Sequence, residues 1–285
     1  MTAPTKIATH AANAEAAMER AAKKAPSDAS PYPALPPQRA QAASASLQTS
    51  GSLQLYLRTV PTPLGPFSLY VDADGAVRCC LWQRSAPCDS AALEAEAQDV
   101  CARMQSRWYK SALVTVAGMW ADDAGRASGA PGERAAELLR NYFNPPTAEA
   151  GRPEELERLL LQVPIVYPPT TVFTAQAWAT LRHTVPCGEV ISYKGLGIRV
   201  HKALGLPAST ASAPRAIGVA MGSNPIPVIV PCHRVLSSTN SLHGYGLGLR
   251  FKAWLLRHEQ ADVAAHKLRI GEQEIAMVAK ASRRS

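Results

Sequence analysis

No apolar run in this 285-residue chain reaches the roughly 20 positions that a membrane-spanning helix needs. That points away from a membrane protein. The N-terminus also lacks the apolar core of a secretory signal, so an intracellular protein is expected, nuclear if the cell is eukaryotic. The six cysteines (Cys79, Cys80, Cys88, Cys101, Cys187 and Cys232) lack any regular spacing, which excludes a disulfide framework. Each is then either buried filler or a nucleophile. No histidine sits near Cys79, Cys80 or Cys88 at metal-ligand spacing, so no metal site is expected. Large apolar side chains are scarce in residues 1–50, which are rich in Ala, Ser and Pro and read as a disordered tail. Most informative is a missing charge: no Asp or Glu occurs between Glu189 and Glu259, while eight Lys and Arg do. The whole chain has 30 Lys and Arg against 22 Asp and Glu, a net charge of +8. From Tyr167 onward the balance is 14 against 5, or +9, which leaves −1 for the rest. A surface so depleted in acids would attract a polyanion, and nucleic acid is the expected partner.

From Leu53 the pattern becomes that of a folded domain. Leu53–Val60 and Phe67–Val71 partly alternate, Pro61 to Pro66 punctuate the link between them, and Asp74-Gly75 marks a turn before Ala76–Trp82. These segments predict a small antiparallel sheet. Helical spacing follows in Ala91–Met104 and Glu133–Phe143, and Ala121–Gly132 reads as a surface loop. Residues 53–165 thus form an α/β domain, with Pro164 to Pro169 as a linker. Residues 170–262 form a mostly helical domain, and residues 263–285 a basic tail. Within the second domain Thr174–Val185 is helical. Ser192 caps a helix from Tyr193, and Ser212 caps another running through Ala216 to Met221, with Gly222-Ser-Asn-Pro225 ending it. Two short helices in an acid-free basic region suggest a winged helix-turn-helix.

The chemistry concentrates after that motif. Pro225-Ile-Pro-Val-Ile-Val-Pro231 delivers Cys232 with His233 and Arg234 beside it. Positive charge nearby lowers a thiol's pKa, and a base within reach completes an activated nucleophile. A buried, inert cysteine is the competing reading, and the residue types alone leave both open.

Pro231-Cys-His-Arg-Val235 resembles the active-site signature of the methylated-DNA–protein-cysteine methyltransferases. The likeness extends to Gly218–Pro225, to Lys252–Glu259, to Gly188–Tyr193 and, in the first domain, to Thr62–Phe67, covering roughly residues 53–260. The resemblance implies that Cys232 takes an alkyl group from 6-O-methylguanine, or from 4-O-methylthymine, in double-stranded DNA. It implies one turnover per molecule, no cofactor and a monomer. His233 would accept the thiol proton through a water, and Glu259 would orient the imidazole. Tyr193 would press on the target phosphate or offer its hydroxyl to the base, and Asn224 would brace the turn carrying Cys232. The target nucleotide must leave the stack, and Arg215 would fill the gap while Ala216 and Gly218 let the helix approach the groove. Thr174, Lys194 and Ser238 match positions that touch the DNA backbone. Pro227, Val235, Tyr245 and Gly246 match the lining of the guanine pocket.

The chain departs from the family's pattern at Gly222, where a cation or polar side chain is usual, and at Leu247, where a small residue is usual. Lys194–Ser212 is longer than typical. Three other functions compete. An alkyltransferase-like protein that only binds damage would lack Cys232. A cysteine hydrolase would draw its base from a distant segment instead of the next residue. A plain helix-turn-helix regulator has no need of a reactive thiol.

Overall fold

The computed structural model describes residues 51–84, 90–121, 129–206, 214–237, 242 and 244–261. The N-terminal tail, the C-terminal basic tail, the Ser212 cap, Ser238, Cys88 and part of the predicted loop before Gly132 lie outside the described residues.

Strands β1 (Ser52–Val60), β2 (Phe67–Val71) and β3 (Val77–Trp82) run as the alternation and the Asp74-Gly75 turn dictate, in antiparallel order. The sheet is not wholly antiparallel, however. Helix α1 (Ser90–Arg107) leads to β4 (Leu113–Ala121), which pairs with β1 in parallel and completes a mixed sheet in the order β3-β2-β1-β4. A strand that follows a crossover helix can enter parallel to its neighbour, whereas hairpin signals report only antiparallel pairs. The sequence pattern predicts no strand at Leu113–Ala121, where Ala117-Gly118 weakens the β alternation and Ala117 is an extra residue in β4 opposite the Leu55/Tyr56 step of β1.

Because side chains alternate across a strand, each sheet face has its own core. Leu53, Leu55, Leu57, Tyr70 and Cys79 pack with Val100, Cys101 and Met104 of α1. On the other face Phe67, Leu69, Val71, Cys80 and Trp82 meet the helices of the rest of the protein. Adjacent Cys79 and Cys80 therefore belong to different cores.

Helix α2 (Glu133–Phe143) places one strongly apolar face, including Leu138, Leu139, Tyr142 and Phe143, into that second core. Helix α3 (Pro153–Gln162), absent from the sequence reading, starts with Pro at its first position and Glu154 and Glu155 in its first turn, both favourable at a helix N-terminus. The proposed linker is tied down: Val77 donates to the Pro164 carbonyl at 2.8 Å and Val166 donates back to Val77 at 3.1 Å.

Three helices then pack together: α4 (Val172–Thr184), α5 (Tyr193–Ala203) and α6 (Pro214–Gly222). Thr171 caps α4 by accepting from the Thr174 amide, and Ser192 caps α5 by accepting from the Gly195 amide at 3.0 Å. Trp178 of α4 donates its indole N–H to the Ala220 carbonyl of α6 at 2.8 Å, which satisfies a polar atom that burial would otherwise orphan. A two-residue parallel ladder joins β5 (Ile191–Ser192) to β6 (Val235–Leu236), and helix α7 (Leu249–His258) follows. No described helix is long and apolar enough to cross a membrane.

The start of α2 depends on a glycine. Gly132 adopts φ +79°, and a Cβ there would lie 2.7 Å from Cγ2 of Val71. Gly132→Ala is expected to lower stability by about 2–4 kcal/mol, from left-handed strain plus overpacking. Gly65, at φ +107° with open space around it, isolates the strain, so Gly65→Ala should cost about 1 kcal/mol. Equal losses in denaturant melts of the two variants would show that the contact with Val71 contributes nothing.

Candidate active site

Cys232 stands at the end of a segment with little freedom. Asn224, just past α6, accepts from the Ile226 amide with Oδ1 (3.0 Å) and donates with Nδ2 to the Val230 carbonyl (2.9 Å) and to the Cys232 sulfur (3.2 Å). Between these bonds Val228 holds φ +74°, a conformation rare for a β-branched residue and worth about 1–3 kcal/mol of strain. Pro231, at φ −81° and ψ 61°, closes an inverse γ-turn in which the Cys232 amide donates to the Val230 carbonyl at 2.8 Å. The sheet anchors the same segment, since Cys80 donates its amide to the Pro225 carbonyl (2.9 Å) and its thiol to that of Pro227 (3.2 Å). Cys232, His233 and Arg234 then form a single 3-10 turn.

Behind the thiol lies a fully buried ionic cluster. Glu259, capping α7, accepts from Arg234 twice, Nε to Oε2 at 2.8 Å and Nη2 to Oε1 at 2.9 Å. Tyr142 of α2 donates its hydroxyl to Oε1 at 2.7 Å, and His233 Nε2 approaches the same oxygen at 3.0 Å. Arg234 Nη1 also reaches Glu157 of α3 at 2.9 Å, Nη2 lies 2.9 Å from the Cys187 sulfur, and Glu157 accepts from the Cys187 amide at 2.9 Å. Burial alone would raise the Glu259 carboxyl, but Arg234 and His233 hold it well below the usual carboxylate range. Burial pushes the His233 imidazole down, and the pull of Glu259 only partly offsets this, so the ring rests neutral.

The sulfur is only partly exposed, and burial raises its thiol above the ordinary value against the opposing effects of Asn224, Lys252 and Tyr245. At rest Cys232 carries its proton. Lys252 is fully buried, donates to the Val235 carbonyl at 2.8 Å, and is lowered to about 8 by burial, with the Cys232 charge acting the other way. The site thus holds a protonated thiol, a neutral imidazole and a buried amine.

Several residues singled out from the sequence surround this centre. Tyr193 opens α5 half-buried, and its phenol is raised by burial and by the Cys232 charge. The Tyr245 phenol is raised by burial first and then by Cys232. Pro227 and Val235 are buried, so side-chain contact with a bound base needs a shift, while Gly246 is exposed. Arg215, Ala216 and Gly218 lie on α6; Arg215 and Val219 are exposed, and a Cβ at Gly218 or Gly222 would meet open space. Lys194 is exposed, and Thr174 accepts from the Thr171 hydroxyl at 2.9 Å in the cap of α4. One expectation needs correction. Of the eight cations between Glu189 and Glu259, Arg234 and Lys252 are fully buried and contribute nothing to a basic surface. Glu157, Tyr142 and Lys252 were not singled out. Only Lys252 left a trace: Lys252, Leu256 and Glu259 fall four and three residues apart, one face of a helix, alongside buried Leu255.

Several known proteins are similar to this chain. The family model described as 6-O-methylguanine DNA methyltransferase, DNA binding domain, matches residues 172–261. A methylated-DNA–protein-cysteine methyltransferase of Shigella flexneri is 31% identical over 215 residues, which is 73% of this chain and 96% of the relative. The Homo sapiens protein of the same name is 40% identical over 124 residues, spanning 42% of this chain and 52% of the relative. An O6-methylguanine methyltransferase structure from Mycobacterium tuberculosis aligns over 74% of this chain and 96% of its own, with a TM-score of 0.45 and 24% identity. On the extent of the Shigella flexneri match, this chain belongs to the methylated-DNA–protein-cysteine methyltransferase family.

Proposed function

We propose that this protein repairs double-stranded DNA by moving the alkyl group of 6-O-methylguanine, and of 4-O-methylthymine, to the sulfur of Cys232. The observation that carries this reading is the Cys232 sulfur, bonded by Asn224 at 3.2 Å and followed in sequence by a buried imidazole 3.0 Å from a buried carboxylate. His233 takes the thiol proton through a bridging water. Among the described groups neither buried ring nitrogen has a well-aligned hydrogen-bond partner, Nε2 lying 3.0 Å from Glu259, and we assign Nδ1 to the water. Glu259 holds the ring. A sulfur–carbon bond then forms as the carbon–oxygen bond breaks, and the base departs with the bonding pair and is reprotonated, the Tyr193 hydroxyl being the donor we assign. The product is a thioether, which water does not readily cleave, so each molecule reacts once. No cofactor takes part, because the protein is the acceptor.

Access to the base follows from the helices. We assign α5 and α6 the role of a helix-turn-helix. The exposed face of α6 combines Arg215 with two glycines and carries no acid, which suits close approach to a groove. Arg215 occupies the space that the extruded nucleotide leaves. Lys194, Thr174 and Ser238 contact the backbone, and Tyr245 with Gly246 receives the base between Pro227 and Val235.

Mixing the protein with a duplex containing one 6-O-methylguanine should add a single methyl mass to the Cys232 peptide, saturating at one equivalent and absent in Cys232→Ala. Lesion binding without transfer would leave a damage-recognition protein instead. Arg215→Ala is expected to slow transfer from duplex by about 10- to 100-fold, the rate equivalent of a few kcal/mol of lost support for an extruded base. Its reaction with free 6-O-benzylguanine should stay near wild type; equal losses on both substrates would assign Arg215 to the chemistry or the fold. The pH profile separates base-assisted attack from attack by a pre-formed thiolate. His233 must be neutral to accept a proton, and its pKa lies below 6.5, so the rate should fall only on the acid side of that value. Between about pH 6.5 and 7.5, before Lys252 loses its proton at about 8, it should be flat, and a tenfold rise per pH unit there would mean that free thiolate is the reactant.

A further inference from the structure

One member of the buried cluster comes from the first half of the chain. Tyr142 lies in α2 among core side chains, edge-on to Phe143 (ring centroids 5.0 Å) and to His258 (5.0 Å). A phenylalanine would pack there equally well, so packing does not explain the hydroxyl. That hydroxyl donates to Glu259 Oε1, the same carboxylate oxygen that His233 approaches.

We propose that Tyr142 is a positioning residue for the alkyl transfer, its hydroxyl fixing Glu259 and limiting the proton affinity that this carboxylate lends to His233. The inference rests on the reading of His233 as the base. A carboxylate oxygen that already accepts a charge-assisted bond has less negative charge to offer a second donor. Arg234 occupies both carboxylate oxygens, and the Tyr142 bond adds a third donor from a different helix. With less pull from Glu259, burial wins and His233 stays neutral, ready to accept a proton.

The other groups facing the pair act in known directions. Arg234 and Lys252 each disfavour a proton on His233. His258 of α7 stacks on Trp254 at 4.6 Å, faces the Tyr142 carbonyl at 2.7 Å, and is itself lowered by burial. Glu157 and Cys187 are engaged with Arg234. Tyr142 is an uncharged donor to Glu259, so its hydroxyl can be removed without changing the charge of the cluster.

The test uses the full chain with Tyr142→Phe. Two quantities are read: the pH at which the labelled His233 imidazole protonates, followed by NMR without DNA, and the acid limb of single-turnover transfer to a duplex containing 6-O-methylguanine. Losing the donor makes Glu259 more basic and raises the His233 pKa. Both readings should therefore move to higher pH, by about one unit, a fraction of one charge-assisted hydrogen bond. Duplex affinity should not change. Should Tyr142→Phe fail to fold, a tyrosine fluorinated beside its hydroxyl, placed at position 142, is a stronger donor of nearly the same shape and should move both readings to lower pH. A His233 titration that stays in place in every folded variant overturns the proposal and leaves Tyr142 a structural residue, even if the rate falls. A shifted titration in a protein that transfers no alkyl group would keep the link and reject the proposed function.

Discussion

The structure turns on one buried carboxylate. Glu259 and Arg234 meet in a two-pronged pair with neither side chain reaching solvent. Such a pair is a poor source of net stability, because desolvation offsets the attraction, yet removing one partner strands the other and costs about 3–5 kcal/mol. Its value lies in geometry. To satisfy Arg234, the turn after Pro231, the end of α7, Glu157 of α3 and the Cys187 segment must all converge. Cys232 and His233, preceding Arg234 in the same turn, have little choice of position.

That constraint ties the two halves of the chain together. Tyr142 and Glu157 come from before the predicted linker, and Arg234, His233 and Glu259 from after it. The apolar packing follows the same course: Phe67, Trp82 and Phe143 of the first half form one cluster with Phe251 and Leu255 of α7. Trp82 lies 4.4 Å from Phe251, centroid to centroid. Residues of the first half, which carry no recognisable chemistry in sequence, set the surroundings of the thiol.

What could be read from the sequence divides along physical lines. Local signals were reliable: β2 and α2 have the bounds predicted from alternation and helical period, and Ser192 caps α5 as its residue type suggests. The cysteine, its histidine and its carboxylate followed from resemblance, and the structure brings the three together at one site. Pairings between distant segments left no local trace. The parallel partner of β1 was invisible because β4 carries Ala117-Gly118 in mid-strand, and hairpin chemistry says nothing of crossovers. Tyr142 reads as an ordinary core aromatic, since nothing in its neighbourhood announces a carboxylate 117 residues away. Charge counting misled in part for a related reason: a cation's sign is legible in sequence but its burial is not, and Lys252 and Arg234 point inward.

The inward cations also explain how a site can favour a charge that it does not hold at rest. Burial keeps the Cys232 thiol protonated and presses the Lys252 amine toward neutrality, so each group disfavours its own ionisation. Once the proton leaves sulfur, the balance changes sign. The thiolate then has Asn224 within 3.2 Å and a nearby amine whose protonated form it stabilises in return. Donors fixed in advance by the fold stabilise a developing charge without reorganising, which is how a preorganised site lowers a barrier. On the proposed reading, the strained backbone at Val228 serves the same end. The bonds from Asn224 and from the sheet hold the turn in a conformation the chain would not choose alone, and a site used once per molecule has no need to relax between turnovers.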